Sequence, residues 1–156
     1  MALDATAREA NIRDSIKKFF VDSIVTGEGV PVTFDRSLAS PDLQGKVVTR
    51  WVSIKLGDME INTMSRIVLE VYVCTRQDNE GFKLAQLKDK VLGYLSDENT
   101  TDGYKRIPFY QSHATNAWTS LGAIVVTKVI ESGELEADDD TKYKLLTCFC
   151  RTASKI

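Results

Sequence analysis

One histidine, three prolines and three cysteines are spread through 156 residues. No apolar run is long enough to span a bilayer. Each scarcity excludes something. With His113 as the only histidine, serine and threonine lack a spacing that pairs them with a base. A zinc site would have to gather distant cysteines, because no Cys-x-x-Cys spacing exists. The odd cysteine count, Cys74, Cys148 and Cys150, argues against a disulfide framework. A net charge of −2 with both signs mixed lacks the basic character of a general nucleic-acid binder. Residues 1–13 are polar and lack the apolar core of a signal peptide, so the chain is expected to stay in the cytoplasm where it is made. A nucleophile elbow, a phosphate-cradling glycine loop and a dinucleotide fingerprint are all missing.

What is there reads as a single globular domain over residues 1–156, at 43% hydrophobic and 27% charged residues. Residues 5–25 predict a helix, with Thr6 and Glu9 at capping-box spacing. Its apolar stripe is Ile12, Ile16, Phe19, Phe20 and Ile24. Thr-Gly-Glu-Gly at 26–29 ends it. A short strand over 30–35 follows, where Pro31 suits an edge. Two longer strands, 47–56 and 64–76, alternate with period two around a turn at 57–63. Asp78 or Asn79 can cap a second helix over 80–95, striped by Leu84, Leu87, Val91 and Leu95. Three extended segments finish the chain: 106–111, interrupted by Pro108, then 118–130 and 142–151. The second is apolar on both faces at its centre, the pattern of a strand covered on both sides. The fold class expected is α+β, a mostly antiparallel sheet carrying two amphipathic helices, in the order α-β-β-β-α-β-β-β.

Three features invite a functional reading. Cys148 and Cys150 flank Phe149 and would share one strand face; buried apolar thiols explain them more simply than a redox or metal pair. Asp138, Asp139 and Asp140 are the one dense acidic run. Consecutive carboxylates do not converge on a cation, so a solvated hairpin tip is the simpler account. The third feature is the second face of the long hairpin, with Trp51 on one strand and Met64, Val68 and Tyr72 on the other. A face turned to water would be more polar, so either a helix or another chain is expected to cover it. Dispersed lysines and arginines give no groove for single strands.

The stretches WVSIKL at 51–56, IVLEVYVCTR at 67–76 with its following helix, and the aspartates 138–140 leading into YKLLTCFC at 143–150 together resemble the tail-terminator proteins of long-tailed bacteriophages. The likeness, in element order and texture, runs over about residues 8–151. It implies a virion protein without enzymatic activity, cofactor or metal. Such proteins form a homohexameric ring that caps the tail tube, ends its polymerisation and meets the head–tail connector. DNA passes through the lumen without sequence-specific contact. On that resemblance the interface candidates are Trp51, Val68 and Tyr72 on the hairpin face. Asp58 and Glu60 at its end, and Glu134 with Asp138, Asp139 and Asp140 at the acidic tip, are the reaching elements toward tube or connector. Another neck protein is the nearest rival. A small ligand-binding domain would need a pocket between helices and sheet.

Overall fold

The spacing of four residues between Ile12, Ile16, Phe20 and Ile24 puts their side chains on one stripe, and all are buried. The structure, a computed structural model, describes residues 8–34, 49–60, 64–78, 80–96, 105–111, 119–136 and 141–153. Helix α1 covers Arg8–Phe20 and widens into a π segment, Val21–Thr26. Thr6 and the side chain of Glu9, the expected capping box, lie outside the described residues. Of the two glycines expected to stop the helix, Gly27 stays helical. Gly29 is the residue that turns left-handed, at φ 67°. The N–H groups of Gly29 and Val30 then reach the carbonyls of Val25 and Ile24, at 3.1 and 3.3 Å.

The strands are β1 (Val32–Phe34), β2 (Arg50–Glu60), β3 (Met64–Thr75), β4 (Lys105–Gln111), β5 (Thr119–Glu131), β6 (Leu135–Glu136) and β7 (Lys142–Ala153). Helix α2, Phe82–Leu95, lies between β3 and β4 in the chain. They form one sheet in the order β1-β2-β3-β7-β5-β4, with short β6 added against β7. Every pairing is antiparallel except β1 with β2. The fold is therefore α+β and mostly antiparallel, with β6 an extra two-residue strand in the acidic excursion.

Period-two alternation decides which side of the sheet is core. Val52 and Ile54 on β2, Ile67, Leu69, Val71 and Val73 on β3, and Leu146, Cys148 and Cys150 on β7 all point into one cluster. That cluster also holds the stripe of α1 and Leu84, Leu87, Val91 and Leu95 of α2. Both helices thus pack on the same face. Helix α1 lies along β4, an edge strand whose outer side no other described strand pairs. Ser15 joins the two: its hydroxyl accepts from Tyr110 N–H at 2.9 Å and donates to Tyr110 C=O at 3.3 Å. Pro108 and Pro31 fit the two edges, since edge strands tolerate a missing N–H. The Pro31 carbonyl accepts from Val52 N–H at 3.0 Å.

The buried thiols behave as packing groups. Burial pushes Cys150 up to about 12 and raises Cys148 as well, so neither forms the reactive thiolate near neutral pH. An ionic cluster ties α2 to the sheet: Glu131 meets Lys144 at 2.7 Å and Lys88 at 3.3 Å. Lys144 contributes most to holding the Glu131 carboxyl below its ordinary range. No described helix is long and apolar enough to cross a membrane.

Two sequence expectations change. The turn at 57–63 is shorter than expected, because β2 runs on through Gly57 to Glu60. A bulge between Leu56 and Met59 absorbs the register change; residues 61–63 lie outside the described set. Strand β5 was expected to be covered on both sides. With both helices on one face, Val125 is only half-buried and Ile130 is 46% exposed.

Helix α2 starts at Phe82, two residues later than expected, and its N-cap position is left-handed Gly81 (φ 73°), which has no side-chain cap; Asp78, three residues earlier, holds the helix start instead. Its Oδ2 accepts from Leu84 N–H at 2.9 Å and from the Thr75 hydroxyl at 3.3 Å. Burial raises the carboxyl, but the N–H groups of Leu84 and Lys83, the Thr75 hydroxyl and the Lys142 charge together bring it below its ordinary value. Asn79, the other capping candidate, lies outside the described residues. Asp78→Ala is expected to cost about 1 kcal/mol in urea unfolding at pH 7. A depressed carboxyl stabilises above its unfolded pKa, so the difference from wild type should shrink as pH falls below about 4.

Candidate interaction surface on the open sheet face

The face away from the helices is built by the residues between the core positions. The register of β3 with β7 sets its rows: Arg66 opposite Arg151, Val68 opposite Phe149, Glu70 opposite Thr147, Tyr72 opposite Leu145 and Cys74 opposite Tyr143. Strand β2 adds Glu60 beside Arg66, Lys55 beside Glu70, Ser53 beside Tyr72 and Trp51 beside Cys74. Strand β5 adds Val125 beside Arg151 and Ile130 beside Thr147. Two apolar rows of this face, Val68 with Phe149 and Tyr72 with Leu145, flank a polar row of Lys55, Glu70 and Thr147. Val68, Tyr72, Leu145 and Val125 are half-buried, while Phe149 and Ile130 are exposed.

Tyr72 is fixed in place. Its ring lies 6.2 Å from that of Tyr143, and Lys55 Nζ sits 5.5 Å over it. Its hydroxyl donates to Glu70 Oε2 at 3.1 Å. Burial, then that bond, raises the Tyr72 phenol above its ordinary pKa. At the far end of the hairpin lies a cavity of about 390 Å³, lined by Asp58, Met59, Glu60, Arg66, Val68 and Phe149 among others, with Arg151 and Thr127 on the β7–β5 side. The crevice between α1 and the sheet, around Ile16, Phe34 and Ile54, holds only about 10 Å³. That is about one probe sphere, the least that holds a water. A metabolite pocket at that helix–sheet crevice finds no room there. Among the described residues no cluster of His, Cys, Asp and Glu is arranged to hold a metal ion.

The structure gathers Asp58, Glu60 and Val68 around the cavity and leaves Tyr72 two rows away. Glu134 sits at the opposite end, its carboxylate against Gly81 at the start of α2. Asp138, Asp139 and Asp140 lie outside the described residues, as does the side chain of Met64. Trp51 requires a correction. Its parity is as expected, opposite to Val52, but it is fully buried within the single chain, so it cannot be the surface another subunit presses on. Ser53 beside it is equally buried. Trp51 Nε1 and Ser53 Oγ have no hydrogen-bond partner among the described residues. Phe149, Arg66, Arg151 and Ile130 were missed. The signal for Phe149 was present, since two buried thiols on either side of it force its ring onto the opposite face.

No family model matches the chain, and no curated protein matches it. Solved structures do match, and one of them aligns at a TM-score of 0.54 and 9% identity, with 92% of this chain and 96% of that one covered. At that identity the likeness extends to the fold alone.

Trp51→Ala is expected to lower the free energy of unfolding by about 3–5 kcal/mol. Trp51→Glu should leave no folded protein, where an interface role would have left a folded monomer. Circular dichroism and sedimentation of the two variants distinguish these outcomes.

Proposed function

We propose that this chain is a structural subunit that assembles with copies of itself into a ring capping a phage tail tube. The ring ends tube polymerisation and joins the tail to the head connector. The observation that carries the assembly part is the open sheet face, with Val68, Tyr72, Leu145, Phe149 and Ile130 uncovered by either helix. Phe149 and Tyr72 on this face, with Arg66 and Arg151 in the adjoining rows, match the enrichment of aromatic residues and arginine at protein interfaces. A face used head to tail closes into a ring when the rotation between copies closes. The tail-terminator assignment within that class rests on the resemblance of element order. The fold likeness to a solved structure adds no function to it.

The reading assigns the chain no catalysis and no cofactor. DNA, threading the ring, meets a surface of mixed charge that does not grip phosphates. On this reading the ring meets tube and connector through surfaces other than those that join its copies. A neck protein of the same joining class differs only in docking partner.

Tail tubes polymerised with the purified chain should stop at a narrow length distribution and carry a ring at one end in electron micrographs. Tubes of unchanged length with bare ends overturn the reading.

A further inference from the structure

We propose that the cavity at the β2–β3 end of one copy receives the Glu134–Leu135–Glu136 tip of a second copy, joining subunits head to tail. This deepens the ring reading and rests on it.

The cavity needs an occupant that brings a carboxylate and an apolar side chain together. Val68 and Phe149 supply its apolar wall. Arg66 and Arg151 stand directly opposite each other across β3 and β7, and both are exposed. Like charges so placed repel. Arg66 has Glu60 on its other side, but the second cross-strand neighbour of Arg151 is Val125. An incoming carboxylate would relieve that repulsion and give Arg151 a forked partner.

The chain carries the matching piece. Leu135 is 43% exposed, and the glutamates on both sides of it are exposed as well. Glu134 lies against Gly81 at the start of α2. The tip cannot reach the cavity of its own chain. Leu135 pairs with Tyr143 at the start of β7, whereas Arg151 lies near its end, about 27 Å away at the usual strand rise. Tip and cavity therefore meet only between copies. Because they are different surfaces, the contact is heterologous, the kind that propagates or closes into a ring.

Leu135→Cys and Val68→Cys variants test the contact, since the native thiols Cys74, Cys148 and Cys150 are all buried. Under mild oxidation the mixed variants should give a disulfide-linked dimer that neither gives alone. Arg151→Glu should weaken association about tenfold, and adding Glu136→Arg to it should restore association. Thermal melts establish that each variant is folded. A wild-type chain that associates while the mixed variants stay unlinked overturns this contact and leaves the ring reading standing. A folded chain that stays monomeric at high concentration, with no cross-link, overturns both.

Discussion

Both helices bury their apolar stripes against the same side of one sheet, and the rest of the molecule follows from that. Alternation along β3 sends Ile67, Leu69, Val71 and Val73 into the core and leaves Val68 and Tyr72 on the far side. Strand β7 repeats the division, with Leu146, Cys148 and Cys150 inside and Leu145 and Phe149 outside. Neither helix has a second apolar stripe to offer. At one end of the far side Trp51, Ser53 and Cys74 are buried within the chain, while Val68, Tyr72, Leu145, Phe149 and Ile130 stay half-buried or exposed, and these are not the residues of a surface turned only to water.

The parts of the fold that could be read from the sequence are those where one periodicity dominates. The four-residue spacing of Ile12, Ile16, Phe20 and Ile24 and the alternation of β3 are unambiguous. Strand β5 is apolar on both faces, so its pattern could not distinguish cover by a helix from cover by another chain. Gly57 and Asp58 look like turn residues, yet a bulge lets β2 continue past them. Trp51 shows the limit most clearly: alternation tells which face a side chain occupies, but burial depends on what lies above that face. Arg66 and Arg151 are far apart in sequence, and only the β3–β7 register makes them neighbours.

The surface has two distinct ends. One carries a cavity with a guanidinium pair at its rim, the other an exposed leucine between carboxylates. An isologous dimer would place like with like. Unlike ends favour a chain of contacts that runs in one direction, which is the geometry a capping ring requires. Asp78 at the start of α2, the Ser15 link to β4 and the Lys88–Glu131–Lys144 cluster hold the subunit together on the helix side, and buried Trp51 adds to stability at one end of the far side.

The most direct test of the proposed assembly surface is the molar mass in solution of the wild-type chain beside Phe149→Glu. A multiple of 17.4 kDa for the wild type, falling to a single folded chain in the variant, is the expected result. Equal masses for the two, with both folded, would contradict the claim that the open sheet face is where copies meet.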